Sequence, residues 1–197
     1  MPQRRLFTLG THRELAASLA HELGRDLSEC AVIRAPDGEA IVSVDPDVVG
    51  EHVVFVHPTY PAGGERILEL LLAADACRRV GARTVCAVIP YVGYARQEHR
   101  TSVGEALGMR VVGDMLGLAK LSRVVTVDMH APSVEGLFPC PVEHLTAMGQ
   151  LVVLARRYVT PDSVVVAPDL GAAKMARDVA RALDLPFAIL HKSRRST

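Results

Sequence analysis

Thr84-Val85-Cys86-Ala87-Val88-Ile89 is a largely apolar run that breaks at Pro90 into Tyr91-Val92-Gly93-Tyr94-Ala95-Arg96-Gln97-Glu98. A short apolar run bounded by turn residues reads as a buried strand. The segment that follows it holds a glycine, an arginine and a glutamine, and the loop after a strand is where an open α/β sheet places ligand chemistry. Tyr94, Arg96 and Gln97 offer a ring, a bidentate cation and an amide. That set suits a phosphorylated, base-carrying ligand, because guanidinium geometry matches phosphate and an amide reads a base edge. Taken alone, the segment is equally compatible with an ordinary polar connection.

The same design recurs along the chain. Leu6 to Leu9 reads as a short strand, and Thr11-His12-Arg13-Glu14 has the capping-box pattern ahead of Leu15, Leu19 and Leu23 at helical spacing, with Gly24 as the stop. Residues 31–34 and 40–44 read as strands around Pro36-Asp37-Gly38, where Asp-Gly favours a tight reversal. Residues 53–57 form a further buried strand. A strong helix follows over 65–80, with Ile67, Leu70, Leu71, Ala74 and Cys77 on one face and Gly81 at its end. A helix over 105–118 carries Gly108, Gly113 and Gly117, each of which weakens it. Strands are expected at 123–128, 142–145, 163–167 and 187–190, and helices at 148–158 and along the stripe Ala172, Met175, Ala176, Val179, Ala180, Leu183. The alternation predicts a mostly parallel α/β sheet. Residues 1–145 are expected to form one domain, and 146–197 the start of a second.

Composition narrows the function classes. Of the 197 residues, 49% are hydrophobic, ample for a packed core, and 22 basic residues balance 22 acidic ones. A net charge of +0 gives no argument for sequence-independent nucleic-acid binding. The apolar runs are far shorter than a membrane span. Cys30, Cys77, Cys86 and Cys140 lack metal or redox spacing; Cys77 and Cys86 read as small buried hydrophobes. A reducing cytoplasm is the simplest compartment.

Three more strand ends carry polar clusters. Asp128-Met129-His130 can hold a phosphate or a divalent cation, or His130 is a structural residue. Pro168-Asp169-Leu170-Gly171 opens a helix, so Asp169 is either a helix cap or a contact to a metal or its water. His191-Lys192-Ser193-Arg194-Arg195 is either a solvated basic run or a polyphosphate site.

Together, and in this order, the segments Arg34-Ala35-Pro36-Asp37-Gly38-Glu39, Pro90-Tyr91-Val92-Gly93-Tyr94-Ala95-Arg96-Gln97, Val127-Asp128-Met129-His130-Ala131, Ala167-Pro168-Asp169-Leu170-Gly171-Ala172 and Lys192-Ser193-Arg194 resemble the ribose-phosphate diphosphokinases, or phosphoribosyl pyrophosphate synthetases. The wording at Gly104-Glu105-Ala106 and Lys192-Ser193-Arg194 is similar to archaeal-type members. The resemblance implies two phosphoribosyltransferase-like domains facing each other across an active site, in a cytoplasmic homo-oligomer. It implies that Asp37, Gly38 and Glu39 reach the adenine held by a neighbouring subunit, and that Arg96 and Gln97 contact ATP. It places His130 and Asp169 at the magnesium-ATP site, with His130 acting more through the phosphates than as a tight metal ligand. Lys192 and Arg194 then lie on a mobile loop that closes over the polyphosphate. The implied reaction transfers diphosphate from ATP to ribose 5-phosphate, with Mg2+ as cofactor and AMP as the other product.

The chain also departs from the family. The family's ribose-phosphate loop, an Asp-Asp-x-x-x-Thr-x-Gly-Thr pattern beyond the basic loop, has no counterpart before Thr197. The second domain is therefore expected to be cut after about two strands, with an unpaired edge and exposed apolar helix faces. Ala35 replaces an aromatic that stacks on adenine, which weakens base recognition by about 1 kcal/mol. Glu98 stands where Asp is common, and Ala172 where bacterial members often have a second Gly. These departures keep an alternative open: a non-catalytic nucleotide-binding or regulatory subunit, or an inactive fragment.

Overall fold

The computed structural model describes residues 4–10 and 12–190. The chain divides into two compact units, Met1–Leu145 and Thr146–Thr197. In chain order the first contains β1 (Arg4–Thr8), α1 (Arg13–Glu22), β2 (Leu27–Glu29), β3 (Ala31–Arg34), β4 (Ala40–Ser43), β5 (His52–Val56), α2 (Gly63–Val80), β6 (Thr84–Val88), α3 (Gly108–Leu118), β7 (Arg123–Val127) and β8 (Val142–Leu145). The second contains α4 (Met148–Ala155), β9 (Val165–Ala167), α5 (Ala173–Leu183) and β10 (Phe187–Ile189).

In the first unit six strands form one sheet in the order β2-β1-β5-β6-β7-β8, and every pairing is parallel. The expected mostly parallel α/β fold is therefore what the chain adopts. α2 and α3 pack on one face, where Phe7, Phe55, Ile67, Leu70, Ala87, Met109 and Val124 are fully buried. α1 packs on the other face, against Leu6 and Val56. On that same side Val54, Val88 and Val125 remain half-buried. β3 and β4 pair antiparallel as a separate two-stranded hairpin, with Ile33 opposite Ile41 and both exposed, while Val32 and Val42 pack inward.

Several local expectations change. α1 turns Ala16 and Ala20 to the sheet rather than the leucine stripe: Leu15 and Leu23 are exposed and Leu19 is only half-buried. Small side chains let the helix lie close to the strands, and leucines at those positions would hold it away. The expected cap Thr11 lies outside the described residues; the helix is preceded by His12 in the left-handed region. β2 was not expected at all. α3 begins at Gly108 instead of residue 105, because Glu105 is engaged upstream, where one carboxylate oxygen accepts from the amides of Thr101 and Ser102 and from the Thr101 hydroxyl. Those hydrogen bonds, the Thr101 side chain's first, hold the Glu105 carboxyl below its ordinary range. Cys77 is buried as expected, whereas Cys86 is only half-buried.

In the second unit β9 and β10 pair parallel, and α5 packs on them through Ala176 and Ala180. Met175, expected on that stripe, is exposed. Among the described residues no helix is long and apolar enough to cross a membrane.

Gly113 reverses its sequence reading. A β-carbon there would overlap the backbone carbonyl of Leu137, in the 3-10 turn Pro132–Leu137. Ala for Gly inside a helix normally gains up to about 1 kcal/mol, but overpacking against backbone costs about 1–3 kcal/mol. Gly113→Ala is expected to lose stability despite the better helix propensity, read as a lower urea midpoint at unchanged m-value.

Candidate functional site

All the strand carboxyl ends lie on one edge of the parallel sheet, and the loops after β6 and β7 enclose a cavity of about 150 Å³ there. Its lining includes Tyr91, Val92, Ala95 and Arg96 from the first loop, and Thr126, Asp128 and His130 from the second strand and loop. Arg96 and His130, 34 residues apart in sequence, thus share one cavity. Thr126 is fully buried, and its hydroxyl makes no hydrogen bond among the described residues. Asp128 turns the chain out of β7 in the left-handed region, at φ 44°.

The loops are held by residues to which sequence reasoning gave no such role. Thr59, buried in the loop after β5, accepts from the Gly93 amide at 2.6 Å and donates to the Tyr91 carbonyl at 2.9 Å. Its own amide bonds the same carbonyl at 3.0 Å. Glu98 accepts from the Ser133 hydroxyl and so joins the first loop to the turn beyond His130. His144 on β8 accepts the Met129 amide through Nε2 at 2.8 Å. A ring nitrogen that accepts carries no proton, so Nδ1 carries it, 3.3 Å from Glu135. This relay fixes the backbone next to His130.

The other expected site residues lie elsewhere. Gln97 is exposed beside the cavity, and its side chain packs so closely on Gly108 that a β-carbon there would overlap its amide oxygen. Asp37, Gly38 and Glu39 are exposed at the tip of the β3-β4 hairpin and are not among the residues lining the cavity. Gly38 has φ 90°, which the Asp-Gly reading anticipated, and Asp37 accepts the Glu39 amide at 3.1 Å. Asp169 lies in the second unit and caps the turn before α5, accepting from the Ala172 amide at 3.1 Å. Its second carboxylate oxygen makes no hydrogen bond among the described residues. Lys192 and Arg194 lie outside the described residues.

Among the described residues no three His, Cys, Asp or Glu side chains converge as a metal cage. Magnesium usually takes one or two carboxylates and fills its octahedron with phosphate oxygens and water. Asp128 on the cavity lining and the second oxygen of Asp169 are donors of that kind. Each carboxylate, taken within its own unit, has the chemistry to contact a magnesium ion carried by a polyphosphate rather than one enclosed by protein.

A second polar cluster is buried beneath the hairpin. Glu69, on α2, has a side chain 1% exposed; one oxygen accepts from Arg34 at 2.5 Å and the other from Arg66 at 2.7 Å. His57, fully buried at the end of β5, approaches Glu69 to 3.8 Å and donates from Nε2 to the Arg66 carbonyl at 2.9 Å. Its Nδ1 has no hydrogen-bond partner among the described residues. Burial pushes the His57 imidazole down from 6.5 to about 4; the nearby Arg66 and His12 charges act in the same direction, and the bond to the Arg66 carbonyl opposes them. At neutral pH the ring is uncharged, so its contact with Glu69 is not an ion pair.

A family model for the N-terminal domain of ribose phosphate pyrophosphokinase matches residues 4–119. The chain is 36% identical over 194 residues to ribose-phosphate pyrophosphokinase 1 of Listeria monocytogenes, covering 98% of this chain and 61% of that enzyme. It is 37% identical over 193 residues to ribose-phosphate pyrophosphokinase 1 of Lactococcus lactis, covering 96% of this chain and 60% of that enzyme. The chain thus spans about three fifths of the length of these curated relatives. The crystal structure of phosphoribosylpyrophosphate synthetase from Mycobacterium smegmatis superposes with a TM-score of 0.87 at 32% identity, over 98% of this chain and 65% of that one.

The His57 environment sets a pH dependence. Between pH 6.5 and 4 the unfolded chain takes up a proton at this position and the folded chain does not, so stability falls as pH is lowered through that window. The shift corresponds to about 3 kcal/mol from this residue. Urea unfolding across the window is expected to show that slope in the wild type and a shallower one in His57→Gln.

Proposed function

We propose that this chain, which belongs to the ribose-phosphate pyrophosphokinase family, binds magnesium-ATP at the cavity beyond β6 and β7 and works in the transfer of diphosphate from ATP to ribose 5-phosphate. The single observation that carries the reading is the cavity shared by Arg96 and His130 at the ends of adjacent parallel strands. Arg96 would clamp phosphate oxygens in bidentate fashion. Gln97, beside the cavity, would read the base or ribose, and His130 would contact the polyphosphate. The resemblance alone assigns Asp169, in the second unit, a magnesium contact, direct or through water.

In the transfer, the C1 hydroxyl oxygen of ribose 5-phosphate bonds to the β-phosphorus, the bond from that phosphorus to the α-phosphate oxygen breaks, and AMP leaves with that oxygen. The hydroxyl proton passes to solvent or a nearby base. Such chemistry depends on placing the reactants in line and on cations around the transferring group. Bound magnesium would supply part of that charge. By the resemblance, Lys192 and Arg194 would supply more.

Asp37, Gly38 and Glu39 would complete the nucleotide site of a neighbouring subunit, making the working form a homo-oligomer. The exposed Ile33–Ile41 pair on the same hairpin supports this, since an apolar pair facing solvent favours a covering partner. The cytoplasm is the proposed compartment. One observation favours the second reading, a nucleotide-binding subunit without turnover: Ala35 at the hairpin gives adenine no ring to stack on. AMP release that requires Lys192 would exclude it.

Calorimetry with magnesium and a non-hydrolysable ATP analogue tests the site. Arg96→Ala is expected to weaken binding about 10- to 100-fold, the scale of a lost charge-assisted contact. Unchanged affinity in that variant would remove Arg96 from the site.

A further inference from the structure

Glu69 is an anomaly of sequence before it is one of structure. It stands inside Ile67-Leu68-Glu69-Leu70-Leu71-Leu72, on the face of α2 that enters the core between Ile67 and Leu70. A carboxylate at such a position costs far more than a leucine unless it is fully paired. Its two oxygens are divided. One is held by Arg66 on the same helix, and the other by Arg34, the last residue of β3 before the chain leaves for the Asp37–Glu39 turn.

The hairpin needs such an anchor. β3 and β4 are not hydrogen-bonded into the six-stranded sheet, so no ladder sets their direction. Val32 and Val42 pack them onto the core, but apolar contact is not directional. A charge-assisted bond to a guanidinium is directional, and it is strongest where water is excluded. Arg34 also meets Glu65 at 3.1 Å, but the Glu65 side chain is 63% exposed, and a pair so open to solvent constrains little. Glu69 is itself fixed from behind: Arg66, which holds its second oxygen, is held through its carbonyl by buried His57.

We propose that Glu69 is the positioning residue of the nucleotide-reading hairpin: its buried carboxylate, locked by Arg66, grips Arg34 and sets the direction in which Asp37, Gly38 and Glu39 project. The role rests on the reading of that hairpin as part of a neighbouring subunit's ATP site. Buried ion pairs contribute little net stability compared with apolar packing, and their best-attested use is to specify one geometry among several.

The test pairs an orientation measurement with kinetics. Residual dipolar couplings of the amides of 35–39 are compared with those of the six-stranded sheet in wild type, Glu69→Gln and Arg34→Gln. Arg34→Gln leaves the Glu69–Arg66 pair in the core intact and remains informative if Glu69→Gln unfolds. Both variants are expected to lose the fixed hairpin orientation while the couplings within the sheet persist. In the enzyme's assay, both are expected to raise KM for ATP about tenfold or more, with kcat and KM for ribose 5-phosphate within about twofold of wild type. A merely structural role would lower the thermal midpoint and move both KM values together. Unchanged hairpin couplings in the folded variants would overturn the proposal. If couplings change but KM for ATP does not, Glu69 orients the hairpin and the hairpin does not read nucleotide, which overturns the positioning role. If the wild type shows no ATP dependence, the nucleotide reading itself fails and takes the role with it.

Discussion

The parallel pairing of β5, β6 and β7 is the constraint on which the rest depends. His52 aligns with Thr84, so β5 and β6 run in step, and Cys86 aligns with Arg123, so β7 starts further along the sheet and projects beyond the end of β6. Parallel strands require a crossover each time, and the helices that supply it leave the loops at the carboxyl ends free for ligand chemistry. The cavity between Arg96 and His130 is a consequence of that geometry. What turns two adjacent loops into a defined cavity is a small set of polar contacts: the buried bond of Thr59 to the first loop, and the exposed bonds of Glu98 to Ser133 and of His144 to the backbone beside His130.

The sheet was legible because its central strands are apolar on both faces, one fully buried and the other mostly half-buried. Residues 84–89 and 123–127 read as continuous apolar runs, and such runs signal parallel strands covered by helices. β2 was not legible: Leu27-Ser28-Glu29 is a three-residue edge strand without alternation, and only its pairing with β1 makes it a strand. The face of α1 was misread because leucines dominate a hydrophobic pattern while alanines decide how closely a helix approaches. Gly113 was misread for a related reason. Propensity treats it as a weakness, yet the close passage of Leu137 requires it.

The candidate site divides in the same way. Residues in recognisable segments, among them Arg96, Gln97 and His130, could be picked out as candidates for ligand chemistry, and two of them share a cavity. The roles of the residues that hold those segments could not. Thr59 lies in a polar cluster after β5 whose partners the sequence does not name, and His144 is a single polar residue within β8. Glu69 had the strongest available signal, a lone carboxylate in an apolar helical run, but its meaning depends on Arg34, 35 residues away. Such pairings are properties of the folded chain and have no local sequence signature.

The central claim, that this edge of the sheet receives the polyphosphate and base of a nucleotide, is tested most directly by amide chemical shifts of the chain titrated with magnesium and a non-hydrolysable ATP analogue. The account predicts saturable shifts concentrated in residues 91–97 and 126–130. Shifts absent from those segments, or concentrated in the arginine-lined cavity formed by Arg4, Arg5 and Arg25, would contradict it.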